Sequence, residues 1–313
     1  MIKEEFYFDS RDGENRIHAV RYTPDDGNVR GIVQIVHGMA EYVERYENLA
    51  EFLTKRGILV TGEDHLGHGK SVSEGGSFGY FCEQDPATVV VRDVHRLKKI
   101  TEEQYPQVPY IILGHSMGSF IARNYLCRYG SGIDGAVIVG TGMQSSGLIF
   151  ASKAMAGIQK LFCGSKHVSH FIDKAAFGGY NKRIDSPRTS SDWLSRNTDN
   201  VDRYIADELC GFTFTVNGFQ TLFELIRRLQ KQENLEKVPQ NLPILMVSGA
   251  EDPVGDYGKG VHKACGSLKR AGVKNIIVKL YENDRHELLN EDDAETAMED
   301  IWQWICKEVP GIA

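Results

Sequence analysis

The chain has 313 residues, is 41% hydrophobic and 25% charged, and carries a formal net charge of −7. That length holds one large α/β domain with an insertion, or two domains, and the composition is that of an ordinary globular chain. The acidity argues against a nucleic-acid binder, the opening MIKEEFYFDSRDG lacks the apolar core of a secretory signal, and no apolar run approaches the roughly 20 residues of a membrane span.

In chain order, GIVQIVHG (Gly31 to Gly38) is a short buried-strand run ending in glycine. RYENLAEFLTKRG follows, with Leu49, Phe52 and Leu53 at helical spacing. ILVTGEDHLGHG reads as a strand entering a glycine-rich loop, and PATVVVRDVHRLKKITEEQYP as a helix between Pro86 and Pro106. YIILGHS is the next strand, MGSFIARNYLCRYG the next helix and IDGAVIVG a further strand. Strands of near-continuous Val and Ile alternating with helices predict an α/β fold whose mostly parallel sheet is covered on both faces. The alternation stops after Gly142, and to about Pro239 the chain reads as helical and irregular. It resumes with the strand LPILMVSGAED, a helix around GKGVHKACGSLKRAG, the strand NIIVKLYEND and the helix DDAETAMEDIWQWICKEV. The predicted division is a core of residues 1–142 and 240–313 with a cap inserted over 143–239. Cys82, Cys127, Cys163, Cys210, Cys265 and Cys306 form no C-x-x-C pair and no zinc spacing, a pattern expected of free thiols in a cytoplasmic protein.

Two serines match G-x-S-x-G, the pattern of a nucleophile held on a sharp strand-to-helix turn. Ser116, in GHSMG, has the strand YIIL before it and a helix after it. Ser77, in GGSFG, follows the polar KSVSE and precedes FGYF, which reads as a surface loop. A serine nucleophile needs a base, and the base needs an orienting carboxylate. On the elbow scaffold these follow in the order acid, then His, each in a loop beyond the C-terminal end of a strand. Asp252 comes directly after LPILMVSGAE, with Glu251 and Asp256 as neighbouring alternatives. Of the four later histidines, His167 and His170 fall in the insertion and His262 in a helix. His286, in YENDRHELLNE, sits between the last strand and the last helix, where a general base belongs. The developing oxyanion needs two N–H donors. Met117, after the nucleophile, supplies one, and Met39, in VHGMAE beyond an early strand, supplies the other.

These motifs together resemble the monoacylglycerol lipase and lysophospholipase branch of the α/β-hydrolases, a group labelled serine aminopeptidase S33-like. The residues that carry the resemblance are HGMAEYVERY, EDHLGHGKS, LGHSMGSF, LPILMVSGAEDPVG and NDRHELLNE, and it covers about residues 10–142 and 240–308. It implies an α/β-hydrolase fold with a helical cap, a triad of Ser116, Asp252 and His286, and an oxyanion hole of Met39 and Met117. It also implies a charged pair, Glu41 and Arg45, which orients the oxyanion loop or contacts a polar head group. No cofactor and no metal are implied; Asp64, His65 and His68 belong to a glycine-rich loop with a structural role. The expected partner is a small ester or lipid substrate. The apolar residues of GLIFASKAMAGIQKLF would line an acyl pocket or touch a membrane surface, or else pack on the core, with Lys153 and Lys160 toward polar ground. The later insertion, AFGGYNKRI and SDWLSRN, departs from the eukaryotic monoacylglycerol lipase cap. Substrate identity is therefore open where reaction type is not. Two rival readings are a peptidase removing N-terminal residues, which needs a carboxylate such as Asp207, Glu208 or Glu224 for the substrate amine, and a non-catalytic binding protein, which typically lacks a triad member. Haloalkane dehalogenases and epoxide hydrolases carry Asp where Ser116 stands.

Overall fold

The computed structural model describes residues 1–312. The chain begins with an antiparallel pair absent from the sequence reading: β1 (Ile2–Asp9) runs against β2 (Arg16–Thr23), with Ile2 opposite Thr23. β1 is an exposed, charge-rich edge strand, so it lacks the apolar run that marks the inner strands. β2 also pairs antiparallel with β4 (Ile58–Glu63). From there the sheet is parallel through β3 (Gly31–Val36), β5 (Tyr110–His115), β6 (Gly135–Val139), β7 (Ile244–Gly249) and β8 (Ile276–Tyr281). The spatial order is β1-β2-β4-β3-β5-β6-β7-β8.

Every residue of β3 to β7 is buried, as expected of strands covered on both faces. Because side chains alternate along a strand, one set builds each core layer. Val33, Ile35, Leu113 and Val137 pack with α1 (Glu47–Thr54) and α10 (Ala294–Glu308). Ile32, Ile112, Ile138 and Met246 pack with α2 (Pro86–Gln104), α3 (Met117–Tyr129) and α9 (Lys259–Arg270).

Between β6 and β7 run α4 (Ser146–Cys163), α5 (His170–Phe177), α6 (Thr198–Ala206), α7 (Val216–Leu229) and the single turn α8 (Gln232–Leu235). α7 is buried along most of its length, and its Phe219, Leu222, Leu225 and Ile226 join the same apolar cluster as α2 and α3. α4 is different. It buries only Ile149 and Ala156, and leaves Phe150, Leu161 and Phe162 78%, 84% and 85% exposed. Among the described residues no helix is long and apolar enough to cross a membrane, and all six cysteines are unpaired.

Candidate active site

Ser116 stands between β5 and α3 with φ 54° and ψ −120°, a conformation that a non-glycine residue rarely adopts. The turn is tight enough to exclude side chains nearby. A Cβ on Gly118 would lie 1.9 Å from the Val36 carbonyl oxygen, and one on Gly114 2.4 Å from the Gly118 carbonyl oxygen. The glycines of GHSMG are thus required by backbone contact. Ser77, by contrast, lies exposed in an irregular stretch, and open space surrounds the Gly75 of its motif.

Beyond β7, Asp252 is fully buried, and its Oδ1 accepts the Val254 N–H at 2.8 Å. Its Oδ2 accepts from Ser248 Oγ at 3.2 Å and from His286 Nδ1 at 3.0 Å. Glu251 and Asp256 are exposed, as are His167, His170 and His262, so Asp252 and His286 are the acid and imidazole that the fold brings together. With Nδ1–H given to the carboxylate, His286 Nε2 carries the lone pair, and it is buried without a hydrogen-bond partner among the described residues. Ser116, His286, Met39 and Met117 all line one cavity of about 800 Å³. Met117 is the first residue of α3, where an N–H has no intrahelical acceptor. Among the described residues the Met39 N–H makes no backbone hydrogen bond.

The loop that presents Met39 is held by Glu41. Glu41 Oε1 accepts the Gly38 N–H at 2.5 Å and the Tyr46 hydroxyl at 2.9 Å, and lies 3.1 Å from His115 Nδ1. A Cβ on Gly38 would meet that same Oε1 at 2.5 Å. Arg45 bonds Glu41 Oε2 at 2.8 Å and grips both oxygens of Glu287 at 2.8 Å each, while its guanidinium lies 5.0 Å from the Tyr204 ring centroid. Asn200 of α6 donates to Glu287 at 2.6 Å. Burial alone would push Glu41 up, but the bond from His115 and the charges of His115 and Arg45 hold it well below the usual carboxylate range. His115 is raised in turn: burial opposes its charge and the Glu41 carboxylate outweighs burial. Its Nε2 donates to the His286 carbonyl at 3.1 Å. Glu41 touches the cavity wall, but its oxygens and the Arg45 head are engaged with protein. Of the two roles set out for the pair, these contacts favour orienting the loop.

Arg45 shares Glu41 with His115 and is the cation paired with Glu287, so its removal leaves Glu287 without a counter-charge. Arg45→Met should lower unfolding free energy by roughly 3–5 kcal/mol in urea titrations, because an unpaired buried charge keeps its desolvation cost. A change below about 1 kcal/mol would mean that Glu287 is neutral or hydrated without it.

Asp64, His65 and His68 knit the glycine-rich loop instead of converging on one point. Asp64 accepts from Val43 N–H, Lys70 N–H and His18 Nδ1, the His65 N–H donates to His37 Nε2, and His68 Nδ1 faces the Leu66 carbonyl. Burial pushes His68 down to about 3. The sequence reading missed His115, Tyr46, Glu287 and Trp193. The first three adjoin or fall within the quoted motifs, which gave a local signal; Trp193, far off in the insertion, gave none.

A sheet in this order, with a serine on a strained strand-to-helix turn and the Asp252–His286 pair beyond later strands, defines an α/β-hydrolase. The family model described as Hydrolase_4, "Serine aminopeptidase, S33", matches residues 27–293, and the chain belongs to that family. The monoglyceride lipase of Rattus norvegicus is 27% identical over 293 residues, covering 92% of this chain and 86% of that protein. The monoacylglycerol lipase of Mycolicibacterium smegmatis is 27% identical over 288 residues, covering 91% and 90%. Among solved structures, a thermostable carboxyl esterase from Bacillus coagulans in complex with glycerol aligns over 100% of both chains, with a TM-score of 0.92 and 31% identity. The resemblance read from the motifs is borne out.

Proposed function

We propose that the protein is a serine hydrolase of carboxylic esters with an apolar acyl chain, on substrates of the monoacylglycerol or lysophospholipid type. The observation that carries this reading is the convergence of Ser116, His286, Met39 and Met117 on one cavity walled by Phe120, Ile149, Leu222 and Phe223. Ser116 Oγ attacks the carbonyl carbon as His286 Nε2 takes its proton. Asp252 holds the imidazole and stabilises its charged form, and the two amides bind the oxyanion. His286 then gives the proton to the leaving alcohol, and water cleaves the acyl-enzyme by the same route. Residues 143–239 act as the cap over this cavity. The unpaired cysteines support a reducing, cytoplasmic setting.

The peptidase reading has less support, since no carboxylate that it invokes lines the cavity. Glu224 is bound by Lys153, Arg227 and Arg228, and Asp207 accepts the Tyr42 hydroxyl. Asp173 and Asp256 do line the cavity, so an ammonium held there is what the peptidase reading requires. On the ester reading, monoacylglycerols should be turned over at least about a hundredfold more efficiently than aminoacyl-naphthylamides. The reverse ranking would favour the peptidase. Labelling of Ser116 by a fluorophosphonate separates both enzymes from a binding protein.

The outer face of α4 supports contact with a membrane surface. Phe150, Ile158, Leu161 and Phe162 are exposed there, and Lys160 and Lys166 are close to them in the chain, with Lys160 3.8 Å from Glu83. An exposed apolar patch with lysines near it suits a lipid surface. The protein should co-sediment with vesicles containing phosphatidylglycerol, and a Leu161→Asp, Phe162→Asp double variant should lose that binding. Equal binding by the double variant would remove α4 as the contact.

A further inference from the structure

The general base has aromatic neighbours on two sides. From the sheet, the His115 ring lies 4.8 Å away, centroid to centroid, tilted 42°; from the cap, the Trp193 ring lies 5.1 Å away, tilted 39°. Trp193 also meets Tyr180 edge-on at 4.9 Å, and both line the cavity together with Ser190 and Ser191. This wall differs from the one built by α3, α4 and α7, which is apolar through Phe120, Ile149, Met155 and Phe223.

The segment that carries Trp193 is fastened to the loop that carries His286. The Glu287 N–H donates to the Leu194 carbonyl at 2.7 Å. Arg285 Nη1 donates to the carbonyls of Asp192 at 2.8 Å and Ser195 at 3.1 Å. Glu291 Oε2 accepts from Ser195 Oγ at 2.7 Å and the Arg196 N–H at 2.8 Å, while its Oε1 takes the Arg285 N–H at 2.8 Å. Arg196 closes the set on Asp284 at 2.9 Å. Asn181 Oδ1 fixes the Trp193 N–H at 2.9 Å. So many bonds between two short loops hold them in one register, and the indole keeps its place against the imidazole.

His286 Nε2 must reach the leaving alcohol oxygen to return its proton. A side chain packed on that imidazole from the cap therefore borders the first carbons of the alcohol. We infer that Trp193 is a specificity-determining residue for the leaving alcohol, holding one wall of its subsite against the general base while α3, α4 and α7 set the acyl side. The inference rests on the serine-hydrolase reading given above. A rigid indole here rejects branched or bulky alcohols and limits the tilt of the His286 ring.

The test uses two ester series on the full chain. In one the acyl group is butyrate and the alcohol is methyl, glyceryl or benzyl; in the other the alcohol is p-nitrophenol and the acyl chain grows. Trp193→Ala should raise the kcat/KM ratio of benzyl to methyl butyrate by about tenfold or more, while the acyl-chain ranking shifts by less than about twofold. Trp193→Phe, which keeps a flat ring on His286, should stay near the wild-type alcohol ranking. If the alanine variant fails to fold, Trp193→Leu, which keeps apolar bulk without a flat ring, should raise the benzyl to methyl ratio in its place, and an unchanged ratio there would overturn the assignment. Equal effects on both series, or a larger effect on the acyl series, would overturn the assignment while leaving the hydrolase reading intact. A fluorophosphonate expels fluoride, which needs no proton from His286 and no alcohol subsite, so it should label Ser116 in the Trp193 variants. Absence of labelling in the unaltered chain would remove the hydrolase reading and this inference together.

Discussion

Replacing Ser116 with Ala should lower kcat on p-nitrophenyl butyrate by roughly 10⁵–10⁶-fold, the scale seen when a serine nucleophile is removed from an intact triad. The change deletes one oxygen. The cavity, the Asp252–His286 pair and the Met39 and Met117 amides remain, so residual rate above that of water reflects binding and the oxyanion donors. Stability should change little. The strained backbone, with φ 54°, belongs to a turn in which Gly118 packs closely on the Val36 carbonyl, a contact that the substitution does not touch. Circular dichroism and thermal unfolding of the variant therefore serve as the control, and a folded variant with turnover within tenfold of the original would refute the nucleophile.

Asp252→Asn is expected to lower kcat by roughly 10⁴-fold with the fold intact. The carboxylate accepts from Val254 N–H, Ser248 Oγ and His286 Nδ1, and it has acceptors only. An amide turned to keep its oxygen on Val254 points an NH₂ group at His286. The imidazole then moves its proton to Nε2 and cannot accept one from Ser116. The imidazolium also loses the charge that stabilises it. Glu251→Gln, at an exposed neighbour outside the triad, should stay within a fewfold of the unaltered chain. A fall for Glu251→Gln comparable to that for Asp252→Asn would move the acid to Glu251.

The inner strands were legible because burial on both faces leaves an apolar run in the sequence, as in GIVQIV and YIILGH. β1 was not, because an exposed edge strand such as IKEEFYFD carries no such run. α4 read as an apolar helix without saying where its apolar residues would go. They divide, with Ile149 and Met155 on the cavity and Phe150 and Phe162 in solvent, because α7 covers only one side of the helix.

By itself the sequence determined the class of fold, and it pointed to Ser116 over Ser77 and to Asp252 and His286 as its proposed partners. These follow from local context: a strand before, a helix after, and loops at strand ends, all set by residues near in the chain. Only the tertiary structure decided that Glu41, Arg45 and Glu287 form one buried charged cluster, and that Trp193 packs on His286. Those pairs join residues that lie far apart along the chain, Arg45 to Glu287 and Trp193 to His286. Which buried carboxylate meets which cation depends on how the loops close over the sheet, and no local spacing encodes that.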